Sequence, residues 1–300
     1  MPKPNFSILL APAQRKETGG NPFAPDMFDY RSSSTFNFFK ELNEKRRELI
    51  GVLQQDIRES DDLESLFGIK GDYLEEAVEA NRNLYDAPLM SAFDRYSPGT
   101  MYESIDFENL PTGAQRRLLE NGVIFSGLFG LLRPDDLIPN YRLRMDDDLP
   151  GVGRVYKYWR PHVSPILNRE LEGRWVWDLL PRAHRRVWND EHTYERKLRI
   201  KFYKETVTGE RSPVTHGVKE LRGSLISFVV EETVEDMEDF REWEHPEGYV
   251  LDEEATTYDD EAKTTDLVMV QREGWEERRR KRKERERLKQ EREEREKAEA

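Results

Sequence analysis

The sequence predicts a mixed α/β fold: a single domain in which a mixed sheet is flanked by helices. Short apolar runs typical of strands and longer amphipathic stretches typical of helices alternate along the chain, and this intermingling favours helices layered on a sheet. Residues 1–275 contain no internal repeat and no linker rich in Pro and Ser. We therefore expect one domain over residues 1–275 and a charged helical or disordered tail over residues 276–300.

The first elements follow from apolar spacing and from turn residues. A buried strand is predicted over residues 5–12, where a short apolar run ends at a proline. Large apolar side chains at helical spacing behind a serine cap predict an amphipathic helix over residues 33–60. The stretch LESLFGIKGDYLEEAVEANRNL, residues 63–84, then predicts a short helix, a tight turn and a second helix begun by Asp72.

The alternation continues through the rest of the domain. Residues 111–122 predict a helix with proline at its start and glycine at its end. The run GVIFSG, residues 122–127, predicts a buried strand, and residues 153–171 predict a broken helix. Four further strands are predicted over residues 174–180, 196–205, 247–253 and 265–273.

The net charge of −13 is unevenly distributed. Residues 231–262 hold fifteen acidic residues and one arginine, whereas residues 133–204 hold sixteen Lys and Arg against eleven Asp and Glu. Nucleic-acid affinity depends on Lys and Arg that neutralise phosphates, so a nucleic-acid partner requires a locally basic surface. The surplus of cations over residues 133–204 allows such a surface on an otherwise acidic chain.

The composition disfavours several classes of protein. No run approaches the roughly 18 apolar residues of a membrane span, and the N-terminus lacks the apolar region of a signal peptide. We therefore expect a cytoplasmic protein with no membrane partner. The chain has no cysteine, its five histidines lack metal-ligand spacing, and it has no GxxxxGK[ST] or GxSxG motif. From this composition we expect no metal and no cofactor.

The turn between the two helices of residues 63–84 is a candidate contact with the DNA backbone. Its residues are Gly68, Ile69, Lys70 and Gly71. In a helix-hairpin-helix, glycines let the backbone approach a phosphate, the second helix directs N–H groups at it, and a lysine adds charge. Such a hairpin commonly has one residue between its glycines, and this chain has two. An ordinary helix–helix turn is therefore the alternative.

A longer pattern begins at residue 126. The stretch SGLFGLLRP starts at Ser126, and YRL starts at Tyr141. This ordered series resembles the signature of the YaaA peroxide-stress protein family, and the similarity spans about residues 5–272. The resemblance implies a single-domain mixed α/β fold with a helix-hairpin-helix-like element and a positively charged cleft. It also implies DNA binding and the limitation of hydrogen peroxide damage, including control of free iron.

The same resemblance assigns a set of candidate cleft residues. Together they would supply cations, a hydroxyl and a phenol, a set suited to an anion, a phosphate or a nucleobase. They are Lys16, Ser126, Arg133, Tyr141, Arg142, Lys219 and Arg222. A structural role for Arg133 and core packing for Tyr141 are the alternatives.

Three functions compete at this point. The leading one is a cytoplasmic DNA-binding protein of the peroxide stress response, without sequence readout. The alternative is an enzyme acting on a nucleotide, a nucleobase or another phosphorylated small molecule in the basic cleft. A third is an interaction protein that recruits a basic partner through residues 231–262 and the tail. The chain departs from the family pattern at Ala13, Gln14 and Arg144, which weakens the case for a catalytic reaction.

Overall fold

The computed structural model describes most of the domain. The described residues are 5–22, 38–234, 237–241, 243–277, 280 and 284. The tail expected over residues 276–300 lies almost entirely outside them, as does the serine cap predicted near residue 33. The division into a domain and a tail therefore stays a prediction.

Thirteen strands lie within the described ranges, and most of them are short. They are β1 (Phe6–Leu10), β2 (Met90–Ser91), β3 (Gly122–Ser126), β4 (Gly130–Leu132), β5 (Leu137–Ile138), β6 (Asp148–Leu149), β7 (Gly153–Arg154), β8 (Trp175–Asp178), β9 (Arg196–Glu205), β10 (Arg211–Pro213), β11 (Tyr249–Leu251), β12 (Thr257–Asp259) and β13 (Thr264–Arg272).

Ten α-helices surround these strands in the part of the chain that the structure describes. They are α1 (Asn43–Glu59), α2 (Leu63–Phe67), α3 (Asp72–Arg82), α4 (Ala92–Tyr96), α5 (Thr100–Glu103), α6 (Thr112–Asn121), α7 (Val155–Glu170), α8 (Arg182–Arg185), α9 (Val218–Glu232) and α10 (Met237–Arg241). None of these helices combines the length and the apolar character that a membrane span requires.

One large mixed sheet organises the domain. Its strand order is β11-β13-β9-β8-β1-β3-β4, with β10 paired to β9 and β12 paired to β13. The five strands β13, β9, β8, β1 and β3 run parallel, so their carboxyl ends share one edge. Chain order reverses at β1, because β3 lies on one side of it and β8 on the other. Ligand crevices of α/β sheets form outside such a reversal.

This architecture confirms the mixed α/β fold with helices flanking a sheet. Each of the six strands predicted between residues 5 and 273 coincides with an observed strand. The helix predicted over residues 111–122 is α6, and the two helices around the glycine turn are α2 and α3. The apolar runs were informative because parallel strands buried on both faces need continuous apolar sequence.

Two helix predictions differ from the structure. Within the described residues, the helix predicted over residues 33–60 begins only at Asn43, after a 3-10 turn at Lys40–Leu42. Phe39 has a left-handed backbone conformation, with φ at 54°, which is incompatible with a helix running through it. The helix predicted as broken over residues 153–171 is the continuous α7, although it contains Pro161 and Pro165.

Tertiary contacts explain why α7 continues through its prolines. The Trp159 side chain is fully buried, and its Nε1 donates a hydrogen bond to the Gly127 carbonyl oxygen at 2.7 Å. The Tyr158 hydroxyl donates to the Lys45 carbonyl oxygen at 2.8 Å. Each of the two interior prolines costs a helix about 3 kcal/mol. Burial of several large apolar side chains along α7, each contributing about 1.5–3 kcal/mol, offsets a cost of that size.

The end of β3 packs directly against a second backbone segment. A Cβ built on Gly127 would lie 2.4 Å from the Leu143 carbonyl oxygen and 2.8 Å from the carbonyl carbon of Arg144. Only a glycine permits this approach. It brings the segment that carries Tyr141 and Arg142 against the carboxyl end of the sheet.

We expect Gly127→Ala to lower the free energy of unfolding by about 1–3 kcal/mol, because the added methyl group forces two backbones apart. Urea denaturation followed by tryptophan fluorescence measures the change. The matched control is Gly51→Ala on α1, where an added Cβ meets nothing within 4 Å. That substitution is expected to stabilise by about 0.5–1 kcal/mol. Equal effects of the two substitutions would contradict the close approach.

Candidate ligand-binding site

A cavity of about 790 Å³ opens beside the carboxyl ends of the parallel strands. Its walls come from the loop after β1 (residues 14–18), from α3, from Pro98 and from residues 140–142. Small-molecule sites commonly measure roughly 300–1,000 Å³. The position at the strand-order reversal and the volume both fit a ligand site.

A buried arginine fixes the loop that carries Lys16. Arg95 is fully buried, and its Nη2 donates hydrogen bonds to the carbonyl oxygens of Gly19 at 3.0 Å and Pro88 at 2.9 Å. The backbone N–H of Glu17 donates to the Arg95 carbonyl oxygen at 2.8 Å. Side chain and backbone of Arg95 therefore both hold the segment that follows β1.

Three buried hydroxyl groups meet at the floor of the cavity. The Tyr141 hydroxyl lies 2.6 Å from the Tyr96 hydroxyl and 2.8 Å from Ser126 Oγ. Ser126, the last residue of β3, also accepts a hydrogen bond from the Phe129 backbone N–H at 3.0 Å. Burial raises the pKa of Tyr141 to about 12, although its bonds with Ser126 and Tyr96 act in the opposite direction. The phenol is neutral at physiological pH.

The Lys16 amine lies over this aromatic floor. Its Nζ is 4.4 Å from the centroid of the Tyr141 ring and 5.8 Å from that of the Tyr96 ring. No hydrogen-bond acceptor or carboxylate pairs with the amine among the residues that the structure describes. Burial, followed by the nearby guanidinium groups of Arg142 and Arg95, lowers the pKa of Lys16 to about 7. The side chain as a whole is half-buried, because it borders the open cavity.

Arg142 is positioned through its backbone. The Arg142 N–H donates to Asn81 Oδ1 at 2.9 Å, and Asn81 Nδ2 donates to the Arg142 carbonyl oxygen at 2.7 Å. Its side-chain Nε is buried and has no hydrogen-bond partner in the described part of the protein. An unsatisfied buried donor costs about 1–3 kcal/mol, and a ligand anion would remove that cost.

Three basic side chains and two carboxylates surround the cavity. Arg15, Lys16 and Arg142 line it together with the carboxylates of Glu17 and Glu76. Because the pKa of Lys16 is lowered to about 7, the two guanidinium groups supply most of the positive charge, and they suit a single anionic group of a ligand. No group of three or more His, Asp or Glu side chains in the described ranges is arranged to hold a metal ion.

Four of the seven cleft candidates lie together. Lys16, Tyr141 and Arg142 line the cavity, and Ser126 lies beneath them, bonded to Tyr141. Tyr141 packs in the core, since it is 2% exposed, and it also lines the cavity. The other three candidates lie elsewhere.

Arg133 lies at the opposite edge of the sheet, away from the cavity. Its Nη1 donates to the Gly122 carbonyl oxygen at 3.1 Å, and its Nη2 pairs with Glu170 at 3.1 Å. Gly122 begins β3 and Ser126 ends it, a separation of about 13 Å along a strand. The antiparallel strand β4 carries the chain back to the amino edge, which gives Arg133 the structural surroundings proposed as its alternative.

Lys219 and Arg222 lie on α9. Lys219 is exposed in its first turn. Arg222 lies near Asp178 and Arg185 at the carboxyl end of β8, and burial is the main reason that its pKa is lowered. Neither residue lines the cavity. Arg222 shares the carboxyl edge with the site but is placed beside β8.

The glycine turn lies next to the cavity wall. Tyr73, Glu76, Ala77 and Ala80 of α3 line the cavity, and the turn at residues 68–71 leads into the same helix. Sequence reasoning did not assign this face of α3, nor Arg95 and Tyr96. In the stretch AFDRY, residues 92–96, the spacing of the apolar residues does not show whether the arginine is buried or exposed.

The positions that depart from the family pattern have defined surroundings. Ala13 packs against Gly99, whose Cβ would lie 2.4 Å from the Ala13 Cβ. Gln14 is exposed at the cavity rim. Arg144 pairs with Asp147 at 2.7 Å, and its Nη2 lies 3.5 Å from the Cβ position of Gly68. Arg144, which departs from the family pattern, therefore lies beside the glycine turn at residues 68–71.

Replacing Lys16 by methionine is expected to stabilise the protein at neutral pH. Between pH 7 and 10.5 the unfolded chain binds a proton on Lys16 that the folded chain does not, so wild-type stability rises with pH over this window. Because the side chain keeps part of its surface open to the cavity, we expect a gain of about 1–3 kcal/mol at pH 7. Urea unfolding measures it, and the gain should shrink by pH 9.5.

Lys201→Met is the control for this comparison. Lys201 is 51% exposed and pairs with Asp266 at 2.8 Å, so its replacement should change stability by about 1 kcal/mol or less, and not in the stabilising direction. A Lys16→Met protein no more stable than wild type at pH 7 would show that the amine is not desolvated.

Comparison with known proteins places the chain in a family. The family described as "Peroxide stress protein YaaA" matches residues 6–255. An uncharacterized protein of Campylobacter jejuni is 29% identical over 227 residues, 74% of this chain and 84% of that protein. UPF0246 proteins of Streptomyces coelicolor and Neisseria meningitidis serogroup C are 28% and 29% identical, covering 61% and 53% of this chain. This chain spans 62% of the length of each of these two relatives. With the match extending over most of its length, the chain belongs to the YaaA family of peroxide stress proteins.

Proposed function

We propose that this protein binds DNA without sequence preference and thereby limits iron-linked damage during peroxide stress. The contact is a hairpin surface made of residues 68–71 and Arg144. The observation that supports it is the placement of Arg144, whose Nη2 lies beside Gly68. Two cations, Lys70 and Arg144, thus flank a glycine backbone that a phosphate can approach closely.

The backbone of the turn has the conformation that glycine favours. Gly68 and Gly71 have φ values of 62° and 61°, and neither has side-chain bulk to hold a phosphate away. Lys70 is 81% exposed and pairs with Glu64, itself 48% exposed, at 2.7 Å. An exposed pair contributes about 1 kcal/mol or less, so a DNA phosphate can replace the glutamate.

Acidic residues beside the turn limit the strength of this contact. Asp72 and Glu75 occupy the first turn of α3, where they compete with a phosphate for the positive end of the helix dipole. Lys70 and Arg144 therefore provide the attraction, and we expect weak binding with a strong salt dependence.

Protection from iron follows from the same electrostatics. DNA binding by cations releases the counterions condensed on the phosphates. Ferrous ion is one of the cations that competes for those positions during peroxide stress. A bound protein lowers the local concentration of iron at the backbone, where hydroxyl radicals from peroxide would otherwise form.

We expect Lys70→Glu to weaken binding to a fluorescein-labelled 20-base-pair duplex roughly tenfold at low salt and to reduce the slope of log Kd against log salt by about one. Fluorescence anisotropy across a salt series measures both. Arg116→Glu is the matched control, because Arg116 is 78% exposed and pairs with Glu120 at 2.7 Å on a different helix. It should leave binding unchanged.

Protection is measured as nicking of supercoiled plasmid by ferrous ion and peroxide. Wild type and Arg116→Glu should reduce nicking, and Lys70→Glu should not. Equal losses in the two variants would show that only total charge matters and would refute the hairpin surface. Absence of any binding by wild type at low salt would refute DNA binding altogether.

A second candidate function is the binding of a phosphorylated small molecule, such as a nucleotide, in the cavity. The specific observation is the buried Arg142 Nε, which has no partner among the described residues and belongs to a residue lining the cavity. Lys16 adds a second nitrogen donor, held above the buried rings of Tyr141 and Tyr96.

Nucleoside monophosphates at about 100 times their Kd are expected to stabilise the protein by about 2.7 kcal/mol. Arg142→Gln should remove most of this stabilisation because it deletes the guanidinium donors. Thermal unfolding with and without ligand gives the measurement, and Arg116→Gln is the control that should respond as wild type does. A response of Arg142→Gln equal to that of the control would exclude the cavity as the anion site.

A further inference from the structure

We propose that Lys16 captures a carbonyl group, forming a reversible imine with a small aldehyde whose phosphate or carboxylate binds Arg142. The proposal rests on the second candidate function, ligand binding in the cavity, and identifies the class of ligand. It follows from the placement of one amine among rings and guanidinium groups.

The geometry leaves the Lys16 amine available for reaction. Its Nζ contacts the faces of the Tyr141 and Tyr96 rings, and no carboxylate pairs with it among the described residues. Ring faces attract a cation only moderately and do not occupy the nitrogen lone pair of the neutral amine. The residue also lines the cavity, so a ligand there reaches the nitrogen.

The charged groups that face the amine favour its neutral form. The cations are Arg142 and Arg95, whose effects add to that of burial. The carboxylates of Glu17 and Glu76 line the same cavity, but neither pairs with Lys16 in the described structure. A lysine that is desolvated and close to other cations is a typical imine-forming amine, because only the neutral form is a nucleophile.

Arg142 supplies the second requirement, a holder for an anion. Its backbone is fixed by Asn81, and its buried Nε lacks a partner among the described residues. Arg142 lies close enough to Lys16 to lower the pKa of the amine. A ligand with an aldehyde at one end and an anion at the other therefore satisfies both side chains, and the cavity of about 790 Å³ accommodates it.

The reaction balances without any other reagent. The neutral Lys16 nitrogen attacks the aldehyde carbon, a C–N bond forms, and the carbonyl π electrons move to oxygen. That oxygen takes a proton and the nitrogen loses one, which gives a carbinolamine. The hydroxyl then takes a second proton, the C–O bond breaks so that water leaves, and the nitrogen lone pair forms the C=N bond. Loss of the remaining N–H proton gives the neutral imine and balances the proton taken up. The step involves no net oxidation or reduction, and water reverses it.

The test uses the full-length protein with glycolaldehyde phosphate as the probe, at pH 7.5, with cyanoborohydride to reduce any imine. Peptide mass spectrometry then compares labelling of Lys16 with labelling of Lys70, an exposed lysine whose pKa is raised by Glu64. We expect Lys16 to be labelled roughly tenfold more. Uncharged glycolaldehyde should label Lys16 less, by roughly tenfold, since it lacks the anion for Arg142.

Two variants and one ligand complete the design. Lys16→Arg replaces the amine with a guanidinium, which does not form an imine, and should give no adduct at residue 16. Arg142→Gln should reduce the preference for the phosphorylated probe. Labelling of Lys16 should rise as the pH increases from 6 to 8. Labelling of Lys16 no greater than that of Lys70 would overturn the proposal.

2-Hydroxyethyl phosphate, which has no aldehyde, separates this proposal from the second candidate function. Calorimetric binding of this compound together with failed labelling of Lys16 would overturn the imine and leave the anion site standing. Failure of both would overturn the cavity as a ligand site. Binding together with preferential labelling supports both proposals.

Discussion

The buried guanidinium of Arg95 is the interaction on which the site depends. It donates to the carbonyl oxygens of Gly19, Pro88 and Ile138 and so joins three segments that are distant in sequence. A fully buried charge is costly unless hydrogen bonds satisfy it. These carbonyl groups satisfy the Nη2 nitrogen, whereas the Arg95 Nε has no partner among the described residues. The loop after β1 is consequently held over the carboxyl edge of the sheet, with the Lys16 amine over the rings of Tyr141 and Tyr96.

In the cavity, the features that favour ligand binding also lower the stability of the unliganded protein. Lys16 is desolvated between cations, and the Arg142 Nε is buried without a partner in the described structure. Both features cost folding free energy, whereas each becomes favourable once an anionic ligand is present. Perturbed groups gathered in one cavity are characteristic of binding and catalytic sites, and here they coincide with the reversal of strand order at β1.

The sequence predicted the strands and helices more accurately than it predicted which side chains line the cavity. Apolar runs located β1, β3 and β8, and alternation located β9, because burial on two faces or on one leaves a direct trace in the sequence. The sequence carries no comparable sign of which way a side chain points. Arg133 was therefore grouped with Tyr141, although β4 takes it to the other edge of the sheet. Arg95 was missed because its role arises from contacts with remote carbonyl groups. The continuity of α7 through two prolines likewise depends on Trp159, which packs against the end of β3.

The two hydrogen bonds between Asn81 and the Arg142 backbone join α3 to the segment at residues 140–142. These two walls of the cavity are consequently tied to each other, and the loop at residues 14–18 forms a third wall that Arg95 holds. A single amide side chain therefore sets the spacing between α3 and the segment that carries Arg142, and this spacing contributes to the width of the cavity.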